Sequence, residues 1–372
     1  MKVAVLGGYA PSLLNFRGPM MRAMQQAGHE VVGLAPDSNP EVTARLADLG
    51  IAYQSVPIAR TGMNPIRDLA SIRALTRTFQ DMKPDLLLSY TVKPVIYGSL
   101  AAVRAGVPRR YAMITGLGSG LQGEGFKDLL LARLIRAMYR KGIAANQGVI
   151  FQNPDDQAYF ERHRLMPRDC ATTLINGSGV DLEHFAQVPQ PEVPLTFLMV
   201  ARLVRDKGLL EYVEAARLLK SQGVRARCLL LGPFDTNPTA ISRGALGAWE
   251  EEGILEYLGE AKDVRPFLAQ AHVLVLPSYG EGTPRSVLEA MAMGRAVVTT
   301  LAPGCKETVL PEKTGFLVPV KDSAALAEAM GRFAADPELA PRMGKAGRAY
   351  AEEKYDVDKV NTVILRALSL SV

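Results

Sequence analysis

Residues 272–300 read HVLVLPSYGEGTPRSVLEAMAMGRAVVTT, and this stretch predicts a strand, a loop, a helix and a second strand. The runs HVLVLPS (272–278) and AVVTT (296–300) are apolar at consecutive positions, so both of their faces are expected to be covered. Such strands belong in a parallel sheet with helices on either side. Between them Thr283 can cap a helix and Pro284 suits its first position, giving a helix over 284–293. Glu281 stays in the loop, and Glu289 falls within the first two helical turns. The free backbone amides around 284–286, at the positive end of the helix dipole, are an anion site or simply part of a well-capped strand-to-helix junction.

The same alternation runs through most of the chain. KVAVLG (2–7) precedes a helix at 17–27, EVVGLAP (30–36) one at 40–49, DLLLSY (85–90) one at 94–105, RYAMIT (110–115) one at 127–142 and GVIFQN (148–153) one at 154–163. AQVPQPEVP (186–194), with three prolines and no periodicity, reads as a linker. After it LTFLMVA (195–201), ARCLLLG (226–232) and ILEYLG (254–259) alternate with helices at 207–221, 242–252 and 263–270; GFLVPV (315–320) and a helix-rich tail follow the opening stretch. The expected class is α/β, with doubly wound domains at 1–185 and 195–350 joined by 186–194, and with 351–372 a helical tail returning to the first domain. Ligands of open α/β sheets bind beyond the carboxyl ends of the strands, so a cleft between the two domains is the expected active site.

A chain of 372 residues, 48% hydrophobic and 22% charged, has core enough for both domains. No apolar run approaches the roughly 18 residues of a membrane span, and MKVAVLGG opens as a strand rather than a signal peptide, so a cytoplasmic protein is expected. Cys170, Cys228 and Cys305 and the histidines His29, His163, His184 and His272 fit no metal-ligand spacing, and Asp356 with Asp358 reads as helix-start chemistry; no metal is expected. The net charge of +5 is uneven: residues 1–180 hold 21 Lys/Arg against 13 Asp/Glu, and the rest carry −3. The basic half calls for an anionic partner. Nucleic acid is disfavoured, since there is no zinc-finger spacing, no RNP-type aromatic strand and only 6% aromatic residues. A phosphorylated small molecule or an anionic membrane surface fits better.

ARLVRDKG (201–208) adds chemistry to the second domain. Arg202 and Lys207 directly follow the strand 195–201, at the carboxyl edge that the 278–284 loop also occupies. Either cation alone could be a solvated helix start. Together with the helix N-terminus they suit a diphosphate, whose charge a bidentate guanidinium and a point-charge ammonium can share.

With these residues in view the chain resembles the retaining glycosyltransferases of family 4. Glu281-GTPRSVL-Glu289 is similar to that family's E-x7-E signature, and Arg202 with Lys207 to its diphosphate-binding pair. The resemblance continues through Gly7–Gly8, NGSGVD (176–181), GEAKDVRPFLAQAHVLVLPS (259–278), EAMAMGRAVVTT (289–300) and GFLVPVKD (315–322). It implies the GT-B fold, two Rossmann-like domains around a deep cleft, and a nucleotide-sugar donor used without metal or cofactor. It further implies that Glu289 accepts hydrogen bonds from ribose hydroxyls and that Glu281 meets hydroxyls of the donor sugar, supported by the backbone of Gly282, Thr283, Pro284 and Arg285. Arg202 and Lys207 would hold the diphosphate, Gly8 would let the N-terminal loop approach it, and the base would lie against Leu258 and Val264. Arg202, Lys207 and Glu281 are the candidate catalytic residues. In such a transfer the acceptor attacks from the face the nucleotide leaves, a diphosphate oxygen takes the proton, and the protein supplies electrostatic stabilisation. Many relatives have Phe-Gly where this chain has Thr283–Pro284. The variant resembles a bacterial subgroup that adds sugars to polyprenyl-diphosphate carriers, and Pro284 offers no N–H to the sugar.

The acceptor is expected on the N-terminal half. TVKPVIYG (91–98) and TGLGSGLQG (115–123) resemble segments of transferases that build O-antigen, capsule or glycoprotein oligosaccharides on undecaprenyl diphosphate, which makes Arg17, Lys93 and Thr115 candidate acceptor contacts. Gly116, Gly118 and Gly120 only approximate a dinucleotide fingerprint, and no acidic residue ends a following strand at the required distance. KDLLLARLIRAMYRK (127–141) sets Lys127, Arg133, Arg136, Arg140 and Lys141 beside an apolar stripe. That helix either rests on anionic lipid at the inner face of the cytoplasmic membrane or packs the sheet as an ordinary domain helix. The expected activity is transfer of an N-acetylhexosamine or hexose from a UDP-sugar to a polyprenyl-diphosphate-linked saccharide. Its rivals are a UDP-sugar 2-epimerase of the same architecture, which needs acid/base groups around the sugar ring, and a non-catalytic nucleotide-sugar-binding protein.

Overall fold

The computed structural model describes residues 1–58, 64–117, 121, 126–192, 194–237 and 239–370, with the backbone alone for Pro65, Phe126, Lys127 and Asp128. The chain divides into unit 1, Met1–Ser178 with Asp358–Val372, and unit 2, Gly179–Val357.

Unit 1 alternates β1 (Lys2–Leu6), α1 (Ala10–Gln26), β2 (Glu30–Ala35), α2 (Pro40–Asp48), β3 (Ala52–Ser55), α3 (Pro65–Met82) and β4 (Leu86–Tyr90). A π-helical turn, Pro94–Gly98, then runs into α4 (Ser99–Ala105), followed by β5 (Arg109–Ile114), α5 (Phe126–Ile143), β6 (Gly148–Phe151), α6 (Pro154–Arg162) and β7 (Ala171–Leu174). The seven strands form a parallel sheet in the order β3-β2-β1-β4-β5-β6-β7. Alternate residues of β1 serve opposite layers: Ala4 and Leu6 join Phe79, Val95, Tyr139 and Phe160 on one side, while Val3 and Val5 join Met21, Met24, Val360 and Ile364 on the other. α1 begins at Ala10 rather than near 17, with a proline in its first turn, and continues through Pro19.

Unit 2 begins with β8 (Thr196–Val200), a 3₁₀ turn at Arg205–Lys207, α7 (Leu209–Ser221), β9 (Arg227–Leu231), α8 (Arg243–Glu251), β10 (Glu256–Tyr257) and α9 (Arg265–Leu268). It continues with β11 (Val273–Leu276), α10 (Arg285–Ala292), β12 (Ala296–Thr300), a 3₁₀ turn at Lys306–Thr308, β13 (Gly315–Val318), α11 (Ser323–Ala335) and α12 (Leu339–Tyr350). A π-helical turn, Ala351–Tyr355, leads to α13 (Val357–Ala367), whose Val360, Ile364 and Leu365 are buried in unit 1. The second sheet is parallel in the order β10-β9-β8-β11-β12-β13.

Both sheets reverse their strand order beside their first strand, between β1 and β4 and between β8 and β11, and such switch points are where open α/β sheets bind ligands. The two places where the chain leaves and re-enters unit 1 are paired. The Val180 N–H donates to the Tyr355 carbonyl at 2.7 Å, and the Val357 N–H to the Val180 carbonyl at 3.1 Å. The proline-rich residues 186–190 belong to unit 2, where the fully buried Arg295 donates to the carbonyls of Val188 (2.8 Å) and Pro189 (2.6 Å) and to Gln190 Oε1 (3.1 Å). Arg348 adds bonds to the carbonyls of Leu182, Phe185 and Ala292.

Candidate active site

At the β8/β11 switch point three loops are hydrogen-bonded into one body. Gly208 has φ +76°, and a Cβ there would lie 2.0 Å from the Pro277 carbonyl oxygen, so only glycine lets the 3₁₀ turn approach the end of β11 this closely. The Tyr279 N–H donates to the Asp206 carbonyl at 3.0 Å, and Ser278 Oγ donates to the same oxygen at 3.3 Å. From the other side the Glu281 N–H bonds the Pro303 carbonyl at 3.0 Å, and Gly304, φ +77°, leaves no room for a Cβ beside the Glu281 carbonyl. These constraints bring Lys207 and Glu281, 74 residues apart, into a part-buried ion pair.

Arg202 is paired as well. Its Nη1 lies 2.5 Å from Asp235 Oδ2, and Asp235 Oδ1 accepts the Asn237 N–H at 2.9 Å. Burial would raise the Asp235 pKa, but the Asn237 and Thr236 amides and the Arg202 guanidinium outweigh it and hold the carboxyl below its ordinary range. The loop after β9 is bonded to the Arg202 loop by Leu203 N–H to the Pro233 carbonyl, Arg205 N–H to the Thr239 carbonyl and Ile241 N–H to the Leu203 carbonyl. The sequence reading did not single out Asp235. Its signal is an acidic residue just beyond the carboxyl end of β9, in LLLGPFD (229–235).

Glu289 lies in α10 and is 7% exposed. Burial raises its pKa above the ordinary carboxyl value, against the Arg285 guanidinium, whose Nε sits 2.6 Å from Oε1. Thr283 is not the helix cap. Pro284 (φ −72°, ψ 111°) takes that position, and its carbonyl accepts the Val287 N–H at 3.1 Å, while the Thr283 hydroxyl donates to the Gly282 carbonyl at 2.9 Å. With its extended ψ, Pro284 stands outside the helix while its carbonyl opens the intrahelical bonds, as a cap residue's does. Leu258 and Val264 are partly buried against the core of unit 2. Cys305, which was given no role, is fully buried near the ion pair, and burial together with Glu281 pushes its thiol up to about 12. Among the described residues no three His, Cys, Asp or Glu side chains gather as a metal site.

The other candidates lie in unit 1. Gly8 and Thr91 face each other at the ends of β1 and β4: a Cβ on Gly8 would be 2.8 Å from Thr91 Oγ1. Arg17 is buried at 3% exposure with its Cζ 4.9 Å from the Tyr90 ring centroid. Lys93 Nζ lies 3.5 Å from Asp68 Oδ1 and 5.8 Å from the Tyr97 ring centroid. Thr115 follows β5 and is partly buried. Gly118 and Gly120 and the Lys127 side chain lie outside the described residues. α5 has two working faces: Ala132, Tyr139 and Ile143 are buried in the sheet layer, while Leu129, Leu130 and Leu134 are exposed beside Arg133 and Lys141. Arg136 and Arg140 turn toward α6, donating to Tyr159 Oη and to the Arg164 carbonyl. Among the described residues no helix is long and apolar enough to cross a membrane.

Known proteins match this arrangement along most of its length. Residues 17–177 match the family described as glycosyl transferase 4-like domain, and residues 194–336 the family described as glycosyl transferases group 1. The chain is 30% identical to the N,N'-diacetylbacillosaminyl-diphospho-undecaprenol alpha-1,3-N-acetylgalactosaminyltransferase of Campylobacter jejuni, over 93% of this chain and 92% of that one. Sucrose-phosphate synthase of Thermosynechococcus elongatus superimposes with a TM-score of 0.80 at 19% identity, covering 99% of this chain and 98% of that one. Anabaena HepE in complex with UDP and glucose gives 0.79 at 17% identity, covering 99% of both chains. Two Rossmann-like units with these strand orders are those of the GT-B fold, and the chain belongs to the group 1 glycosyltransferases.

Proposed function

We propose that the protein is a retaining, metal-independent transferase that moves an N-acetylhexosamine or hexose from a UDP-sugar to a polyprenyl-diphosphate-linked saccharide at the inner face of the cytoplasmic membrane. The observation that carries this reading is the Lys207–Glu281 pair, held by three loops at the β8/β11 switch point beside Arg202 and α10. Lys207 and Arg202 stabilise charge on the departing diphosphate, and because their loops are fixed beforehand little reorganisation is needed when that charge develops. Glu281 orients Lys207 and meets the donor sugar with the backbone of Gly282–Arg285. Glu289 holds the ribose, and the base lies on Leu258 and Val264. Gly8 gives the phosphates room, and Arg17, Lys93 and Thr115 meet the acceptor.

The relatives give the substrates their chemistry. The Campylobacter protein is named for an undecaprenyl-diphosphate-linked acceptor, and HepE is described with UDP and glucose. The exposed leucines of α5, flanked by Arg133 and Lys141, suit a surface of anionic lipid that presents such an acceptor. Incubation with UDP-sugars and a polyprenyl-diphosphate-linked saccharide, followed by mass spectrometry, should give UDP and a product one sugar heavier with the donor's anomeric configuration retained. Isomerised donor without acceptor, or tight donor binding without product, would sink the transferase assignment.

A further inference from the structure

The ion pair of Lys207 and Glu281 spans two loops of unit 2. In the proposed reaction Lys207 serves the diphosphate and Glu281 the donor sugar, so the pair loosens its hold on those loops as the donor binds. Both side chains must then be kept in place by groups that act from behind them, because a displacement of about 1 Å can cost a reaction about 100-fold.

A second tie runs beside the pair. Glu211, four residues after Lys207 and in the first turn of α7, accepts a hydrogen bond at 2.7 Å from the hydroxyl of Tyr279, two residues before Glu281. A phenol donating to a carboxylate makes a charge-assisted bond, stronger than a neutral one. Burial, and then Glu211 as acceptor, push the Tyr279 pKa well above its ordinary value, which keeps the donor proton in place. The other carboxylate oxygen, Glu211 Oε2, is buried and makes no hydrogen bond among the described residues. Tyr279 is therefore the side chain that answers this charge, together with the positive end of α7. The backbone repeats the connection through the Tyr279 N–H and the Asp206 carbonyl at 3.0 Å, and Lys321 Nζ, in the loop between β13 and α11, lies 5.2 Å from the Tyr279 ring centroid. The two ties, 207 to 281 and 211 to 279, thus cross the same boundary between the segment after β8 and the loop after β11.

We infer that Tyr279 and Glu211 are positioning residues of the transfer step: their hydrogen bond sets the spacing of the Lys207 and Glu281 loops and holds it when the ion pair opens onto the donor. The inference rests on the reading of Lys207 as the ammonium that binds the diphosphate. Both residues act through Lys207 and Glu281. With the Asp206 to Tyr279 backbone bond and the close approach of Gly208 still in place, losing the side-chain bond costs less than a full loss of position, about tenfold.

The test uses the full chain with UDP as the probe. UDP carries the charge that the leaving group develops, so its affinity reports the position of Lys207 whether or not product forms. By calorimetry UDP should bind Tyr279→Phe and Glu211→Ala about tenfold more weakly than the natural protein, and kcat should fall in step while acceptor KM changes little. Glu211→Gln, whose amide oxygen still accepts from the phenol, should keep UDP affinity within about threefold. Tyr279→Phe combined with Glu211→Ala should be no weaker than either alone, because both remove one bond. Arg295→Ala, which lowers stability at the amino end of β12, should leave UDP affinity unchanged and so separates lost position from lost stability. Unchanged UDP affinity in Tyr279→Phe, losses that multiply in the double variant, or an equal loss in Arg295→Ala overturns the inference. Should Tyr279→Phe not fold, Glu211→Ala measured against Glu211→Gln decides by the same affinity. UDP binding without product in the natural protein fails the transferase reading and leaves the inference to the affinities. Product formed by the variants at the natural rate overturns the inference and leaves the transferase reading standing, and a natural protein that binds no UDP overturns both.

Discussion

Lys207 and Glu281 hold each other before substrate arrives, and that sets what each substitution should do. In the proposed reaction Lys207→Ala removes a cation from the departing diphosphate and leaves the core untouched, so kcat/KM should fall roughly 100- to 1,000-fold with little change in Tm. Wild-type activity in that variant would sink the assignment. Glu289 adds a pH dependence. Its folded pKa lies above that of the unfolded chain, so as pH rises from the unfolded value through the folded one this carboxyl loses its contribution to stability. The ribose clamp proposed for Glu289 needs the carboxylate, so donor affinity should move the other way and fall as pH drops through the same window. Glu289→Gln should remove the pH dependence of both Tm and donor KM attributable to this group, at the cost of weaker donor binding at neutral pH. Arg202, Lys207 and Glu281 could be singled out because each lies within a few residues of a strand end that the apolar runs mark, and Glu289 because it falls in the first turns of the helix that follows one of them. Asp235 was not, because its place beside Arg202 depends on a loop 33 residues further along the chain.

At the scale of elements, the strands that periodicity missed are the edges. β3 (AYQS) and β7 (ATTL) are largely exposed, so they carry no continuous apolar run, whereas β4 and β6 are buried throughout and do. The Thr283 cap was misread for a related reason: several residues of TPRS could open a helix, and only the backbone geometry decides between them. Gly208→Ala tests the loop assembly. Its positive φ and the Pro277 carbonyl both oppose a Cβ, so the variant should lose roughly 1–3 kcal/mol of stability and displace Lys207, lowering kcat/KM more than Tm alone explains. For α5, each surface cation contributes about 1 kcal/mol of attraction to anionic lipid, so Arg133→Gln with Lys141→Gln should weaken partitioning onto phosphatidylserine vesicles roughly thirtyfold at low salt. Equal flotation of the variant and the natural protein would place α5 among ordinary domain helices.

At the scale of the molecule, the linker is a fixed part of unit 2. Arg295→Ala would leave the Val188 and Pro189 carbonyls and Gln190 without their donor, and a loss of roughly 3 kcal/mol is expected in denaturant unfolding. The βα alternation made two doubly wound sheets readable in advance, and 351–372 is expected to return to the first domain, but its composition does not say which layer of that sheet the last helix covers. That follows only from Val360, Ile364 and Leu365 lying with Val3 and Val5. Unit 2 is one continuous segment whose ends are stitched together at Val180 and Tyr355, and it is inserted in a unit whose own sequence is interrupted. Order of synthesis follows from this. At ribosomal rates of about 5–20 residues per second, translating Gly179–Val357 keeps unit 1 waiting roughly 10–40 s for α13. A nascent chain thus completes the segment of the second unit while the first still lacks α13, and the part of its Val3 and Val5 layer that Val360 and Ile364 cover stays open to chaperones until Asp358–Val372 emerges.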